Sequence, residues 1–248
     1  DSISRFSEDI DLTFMPSDIS VNQIGKALKA IEKIMIADDS SATIPEERSA
    51  RSKSSIVWFE GDPTTKVKLE IGSSVRPDPF GPRTLKTYIQ DYMEAENLFQ
   101  DVASFNLSDV TLNVLGIERT FLDKVFAVKR HALCGTLATK VRHIYDVKQL
   151  FGMQEIQTFL SDRDQLTTLI LETKKTDYTY LEKRSIAQHY NPVEPFAFST
   201  WSNCFDEQIK TAYESLHEDL LYTSEQQDIQ IAIETFNIIN NIFEEIGE

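Results

Sequence analysis

The chain has 248 residues, 41% of them hydrophobic and 26% charged, enough for one large domain or two small ones with a substantial core. Its 40 Asp and Glu against 25 Lys and Arg give a formal net charge of −15, which argues against a non-specific nucleic-acid binder. Two isolated cysteines, Cys134 and Cys204, argue against a disulfide framework or a zinc site and fit a reducing cytoplasm; the start is acidic and polar, unlike a signal peptide, and no apolar run approaches the ~20 residues that span a bilayer.

The run from Arg5 to Met15 reads as a β-strand. Residues two apart on a strand share a face, so Asp9 and Asp11 aim their carboxylates at one spot while Ile10 and Leu12 turn into the core. Asp18-Ile19-Ser20 caps a helix running to about Ala37, with Ile24, Leu28, Ile31 and Ile34 at helical spacing. The polar, serine-rich stretch from Asp38 to Lys53, with Pro45 inside it, reads as a loop. Ser55 to Glu60 reads as a strand, Gly61-Asp62-Pro63 as a turn, and Lys66 to Ile71 as a second strand, so that Ile56–Phe59 and Val67–Ile71 form a hairpin. Pro77, Pro79, Gly81 and Pro82 mark a loop, Leu85 to Leu98 is ambiguous, and Val110 to Leu115 is a further strand.

Beyond Gly116 the spacing is helical over Glu118–Leu133, Thr139–Phe151, Glu155–Thr173, Phe205–Leu221 and Glu225–Ile246. In the last of these, Ile229, Ile233, Phe236, Ile239, Phe243 and Ile246 make an apolar stripe, best explained by core packing. Tyr178 to Ser202 reads as an irregular connection.

Asp9 and Asp11 repel each other unless a cation lies between them. Mg²⁺, which takes hard oxygen ligands and shares them with phosphates, is the expected one, so the pair is a candidate phosphoryl- or nucleotidyl-transfer site. A solvated Asp-x-Asp at a strand edge is the plain alternative. Glu70 is a third acid; if its strand lies beside the first, its carboxylate joins that face together with Lys68, whereas alone it reads as a surface acid. Between Arg119 and Lys148 stand Arg119, Lys124, Lys129, Arg130, Lys140, Arg142 and Lys148 against Asp123 and Asp146, a local basic stretch on an acidic body. Lys124 sits among the apolar Phe121, Val125 and Ala127, where a lysine suits a cleft that receives a triphosphate. His131 could do acid–base work but is more often a packed residue. Arg142 and Asp146 are four apart and share a helix face, as in an ordinary ion pair.

The run Arg5-Phe6-Ser7-Glu8-Asp9-Ile10-Asp11-Leu12 resembles the signature of the AbiEii/AbiGii-type nucleotidyltransferase toxins, a branch of the DNA polymerase β-like nucleotidyltransferases. Val67-Lys68-Leu69-Glu70-Ile71 is similar to the family's second strand, Arg119 to Ala127 to its lysine-bearing helix start, and Arg142-His143-Ile144-Tyr145-Asp146-Val147 to its Arg-Asp-x-Tyr-Asp-Leu helix. His143 departs from the family's more usual aspartate. The family's Gly-Gly or Gly-Ser turn, which cradles the triphosphate, is not within this sequence and is expected just before Asp1.

The resemblance implies an α+β protein. A nucleotidyltransferase-like mixed sheet flanked by helices (residues 1–117) is expected first, then a mainly helical domain (118–248) that completes the cleft. It implies an Mg²⁺-dependent enzyme moving a nucleotide from an NTP to an acceptor hydroxyl, the cytoplasmic toxin of a bacterial toxin–antitoxin or phage-defence system with a cognate antitoxin. In some members of the family the acceptor is the 3′ end of tRNA. The implied catalytic residues are Asp9, Asp11, Glu70, Lys124 and Asp146; Asp9 and Asp11 hold the metal, and Ser7, Lys68, Lys124 and Arg130 bind nucleotide. The alternatives are modification of a small molecule or a protein, and a catalytically silent binding protein that keeps the fold.

Overall fold

A computed structural model describes residues 3–5, 9–15, 18–36, 42–49, 51–58, 66–73, 78–181, 189–223 and 225–248. Strands β1 (Asp9–Thr13), β2 (Ala42–Arg48), β3 (Ser52–Trp58) and β4 (Val67–Gly72) form one sheet in the order β1-β4-β3-β2. β1 runs parallel to β4, whereas β3 is antiparallel to both β4 and β2, so the sheet is mixed. Alternation along β4 puts Leu69 and Ile71 on its buried face. Helix α1 (Val21–Met35) covers that face with Ile24 and Leu28, and Leu12 of β1 and Phe14 just after it pack at its margin. α1 starts where Ser20 and Gln23 form a capping box, Gln23 returning its side chain to the Ser20 N–H at 2.8 Å. Glu32 of α1 accepts from Ser55 Oγ of β3 at 2.6 Å and pairs with Arg48 of β2, tying helix to sheet.

Three local expectations fail here. Ile10 is 44% exposed rather than buried, because α1 packs on β3 and β4 and leaves the edge strand β1 partly uncovered. The stretch read as a loop contains β2 and the start of β3. β2 is an edge strand, where polar residues and Pro45 are tolerated, and its register with β3 slips between Pro45 and Arg48. The proline-rich segment contains β5 (Phe80–Leu85), which pairs antiparallel with β6 (Val110–Leu115) in a two-stranded ribbon. Both strands of a ribbon are edges, so Pro82, opposite Asn113, needs no donor on its open side. Between them the ambiguous stretch forms α2 (Tyr88–Ala95), capped by Thr87 Oγ1 at 3.0 Å from the Gln90 N–H, and α3 (Phe99–Ser104). The expected turn at Gly61-Asp62-Pro63 lies outside the described residues.

The rest is helical: α4 (Ile117–Leu133), a 3-10 turn (Leu137–Lys140), α5 (Arg142–Phe151), α6 (Gln154–Ser161), α7 (Arg163–Leu181), α8 (Glu207–Glu214), α9 (Leu216–Asp219) and α10 (Ile229–Glu245). Phe121, Leu122 and Val125 of α4, Ile144 and Val147 of α5, and Phe236, Ile239 and Phe243 of α10 share one large core. The irregular connection supplies Phe196, Phe198 and Trp201 to it, with Trp201 Nε1 donating to Phe196 O at 2.8 Å. The helix expected over Glu155–Thr173 is broken at Asp162. That residue is extended (ψ 92°), and its carboxylate accepts from the Gln165 N–H at 3.0 Å, capping α7. The helix expected from Thr139 opens as the 3-10 turn, that expected over Phe205–Leu221 divides into α8 and α9, and α7 extends through Leu181 into the stretch read as irregular. The whole is an α+β fold, small sheets flanked by helices and a helical C-terminal part. Among the described residues no helix is long and apolar enough to cross a membrane.

Candidate active site

The parallel register sets Asp9 opposite Lys68 and Asp11 opposite Glu70. With side chains alternating along both strands, the four share the sheet face opposite α1. Lys68 pairs with Glu70. Crowding and burial push the Asp11 carboxyl above its usual range, and the negative charges of Glu70 and Asp9, with a hydrogen bond to Glu70, push it further. The positive charge of Lys124, on α4, pulls in the opposite direction. Arg142 at the start of α5 reaches the acidic face directly, with Nη2 at 3.6 Å from Asp9 Oδ2.

Lys124 lies on α4 with its ammonium 3.3 Å from Asp146 Oδ2 and 3.2 Å from His143 Nδ1. An ammonium only donates, so Nδ1 accepts and the ring carries its proton on Nε2. Burial, together with the charges of Lys124 and Arg142, pushes the His143 pKa down against the pull of Asp146, which keeps the ring neutral. Asp146 is fully buried, and Arg5 closes on it as a fork: Nε donates to Oδ1 at 2.6 Å and Nη2 to Oδ2 at 2.9 Å. Burial alone would raise this carboxyl. The two hydrogen bonds from Arg5, and the charges of Lys124 and Arg5, outweigh it and hold Asp146 well below the carboxylate range.

Asp9, Asp11, Glu70 and Lys68 therefore stand on one face, and Lys124 and Asp146 oppose it from the helices. Arg130 is not brought to this cluster; its Nη1 pairs with Asp177 of α7 at 3.2 Å. Ser7 lies outside the described residues. The basic stretch does not form a continuous surface. Arg119 is buried and bonded to Asp123 at 2.8 Å and to Asp78 O at 3.1 Å, and Lys129 is buried and donates to Pro195 O. His131 holds Thr136 Oγ1 at 2.8 Å, and burial lowers its pKa to about 4, so it is a packed, neutral histidine. Arg5 and His143 are the partners that local spacing did not reveal. Arg5 lies 141 residues from Asp146, and the only available signal was its place inside the aspartate motif.

Among the described residues no three His, Cys, Asp or Glu side chains are grouped to hold a metal ion. The donor set is a pair, Asp9 and Asp11, with Glu70 engaged by Lys68. A pair fits Mg²⁺, which uses one or two carboxylates and fills its shell with water and phosphate oxygens. Burial raises Asp11 most and the like charges of Glu70 and Asp9 add to it; that like-charge part is what a divalent cation relieves.

The sequence model of the nucleotidyl transferase AbiEii toxin family, described as a type IV TA system, matches residues 1–236 of the chain. No curated protein matches it.

Proposed function

The chain belongs to the AbiEii nucleotidyltransferase toxin family of type IV toxin–antitoxin systems, and from that premise we propose an Mg²⁺-dependent transfer of a nucleotide from an NTP to an acceptor hydroxyl. The observation that carries this reading is the parallel register of β1 and β4, which collects Asp9, Asp11 and Glu70 on one face opposite Lys124. The division of labour we infer is a catalytic domain over residues 1–117 and a helical domain over 118–248 that closes one side of the cleft.

Asp9 and Asp11 hold the metal, which when bound supplies positive charge to the triphosphate and the attacking oxygen. The acceptor oxygen attacks the α-phosphorus, the bond from that phosphorus to the bridging oxygen of the β-phosphate breaks, and pyrophosphate leaves. Glu70 accepts the proton of the hydroxyl, directly or through water. Lys124 neutralises charge on the phosphates, and Asp146 holds its ammonium in place from behind. Lys68 and Ser7 are proposed phosphate contacts; Arg130 serves the nucleotide only by exchanging Asp177 for a phosphate.

The acceptor we favour is the 3′ end of an RNA such as tRNA, in a cytoplasmic toxin that belongs to a bacterial toxin–antitoxin or phage-defence locus and has a cognate antitoxin. The inward-turned cations of the basic stretch favour a second reading, transfer to a small molecule or a protein. Incubation with bulk RNA, each labelled NTP in turn and Mg²⁺ separates them. RNA labelled at its 3′ end, with label lost on chelation, supports the first; pyrophosphate release with unlabelled RNA points to the second. No release with any acceptor class contradicts both.

A further inference from the structure

Asp146 receives more positive charge than one carboxylate neutralises. Arg5 takes both of its oxygens, at 2.6 and 2.9 Å, and Lys124 stands 3.3 Å from one of them. Arg5 itself is held from its other side. It forms a β-bridge with Leu221, and the Tyr222 N–H donates to Ser4 O at 3.3 Å. Its guanidinium is largely buried and its partner wholly so, so the fork is a fixed part of the site rather than a surface pair.

We propose that Arg5 is a positioning residue that keeps the charge of Lys124 available to a nucleotide by occupying the Asp146 carboxylate. The inference rests on the reading of the cleft as an NTP site. Two cations reach one carboxylate, and the one less covered by protein is the one a ligand can meet. Lys124 is that one: it is about a quarter exposed and acts on Asp11, whereas Arg5 is nearly covered. With Arg5 neutralised, Asp146 and Lys124 become a closed one-to-one pair. The ammonium is drawn toward the helices, and the site loses a unit of positive charge where a triphosphate binds. Arg5 need not touch the nucleotide for this to hold. It also anchors the chain four residues before Asp9 to the helical part, so one contact sets both the lysine and the approach to the metal pair.

A double-mutant cycle on nucleotide affinity tests this, using full-length protein, a non-hydrolysable NTP and Mg²⁺, with folding followed by thermal melting. Arg5→Gln is expected to weaken binding about tenfold, the scale of one charge-assisted contact. In the Asp146→Asn background, where no carboxylate remains to capture Lys124, adding Arg5→Gln should change affinity less than about twofold. That comparison stands even if Arg5→Gln alone fails to fold, since the double variant removes both buried charges together. Arg5→Gln binding like wild type overturns the proposal. So does a double variant that binds about tenfold more weakly than Asp146→Asn, because Arg5 would then act on the nucleotide itself. Wild-type protein that binds no NTP defeats the reading of the cleft, and overturns the proposal with it, before any variant is compared.

Discussion

The sheet and the helices bring opposite electrostatics to the same cleft. On the sheet, Asp11 stands beside Asp9 and Glu70 with too little positive charge, and its carboxyl is pushed up. On the helices, Asp146 is more deeply buried, yet its carboxyl is pushed down, because Arg5 and Lys124 both reach it. Burial acts in the same direction on both. The partners decide the difference, and on the proposed reading they fit two tasks: a crowded carboxylate that welcomes a cation, and a paired one that holds a lysine still. The packing differs in parallel. The acids ride on a four-stranded sheet with a small core of Ile24, Leu28, Val57, Leu69 and Ile71, whereas Lys124 and Asp146 are set in the large aromatic-rich helical core. Electrostatic preorganisation requires a rigid frame around the cations, which the helices supply.

The sharpest way to break this comparison is to neutralise one member of each side. Asp11→Asn should cost turnover on the order of 10²–10³-fold or more, the scale of losing a preorganised charge at the reacting phosphate. It should leave the thermal midpoint of the apo protein equal to or above wild type, since a repelling charge is removed. Asp9→Asn should match it in turnover but lose a few tenths of a kcal/mol from the Arg142 pair, whose side chains are about a quarter exposed and 3.6 Å apart, about the value of a surface ion pair. Unfolding of Asp11→Asn in apo form would make the pair structural. Asp146→Ala should instead destabilise by ~3 kcal/mol, because it strands buried cations, lowering the melting midpoint by roughly 6–12 °C for a chain of this size.

The two carboxyls should also respond to acid with opposite signs. The depressed Asp146 contributes stability that is complete above its unfolded pKa of 3.8 and is lost as pH falls through its lower folded value. The raised Asp11 imposes a penalty above its folded pKa that fades as pH falls toward 3.8. Denaturant midpoints measured from pH 7 downward should therefore show Asp11→Asn losing its advantage over wild type as Asp11 protonates. The deficit of Asp146→Asn should shrink only below about pH 4. Parallel curves for the two variants would remove the contrast.

Lys124→Met keeps the apolar stem and leaves Arg5 on Asp146, so stability should fall by less than in Asp146→Ala while NTP affinity falls about tenfold. Unchanged affinity would exclude the charge as a functional group. The smallest effect concerns RNA. Charge reversal at Lys140 and Lys148 should flatten the salt dependence of RNA binding by a slope of about one or less per lost phosphate contact, with NTP binding intact. Because Lys148 Nζ already has Gln227 Oε1 at 3.4 Å, Lys140 should carry the larger share.

Much of this site was legible because strand geometry is local. The alternation in Val67–Ile71 and the two-residue spacing of Asp9 and Asp11 place three acids on one face once the strands are neighbours, and β4 does lie beside β1. The Ser20 cap and the stripe of α10 were read by the same local logic. β2 and β5 escaped because edge strands carry the polar and proline residues that mark loops elsewhere. The break at Asp162 escaped because the apolar spacing of α6 and α7 continues across it while an aspartate serves as cap. Ile10 was misplaced because alternation sets the face of a strand but not how far a helix covers it. The Arg5–Asp146 fork has no periodic trace at all, since it joins residues 141 positions apart that only the fold brings together.

On the proposed reading the sheet carboxylates are a cation-seeking pair and the helical carboxylate is already satisfied. Carboxyl-carbon NMR titration of Asp11 and Asp146, with and without Mg²⁺ and a non-hydrolysable NTP, tests it most directly. The account predicts an Asp11 pKa that is raised in the apo protein and drops when Mg²⁺ and nucleotide are added, while Asp146 stays depressed in both states. An Asp11 titration unmoved by Mg²⁺ and nucleotide would contradict it.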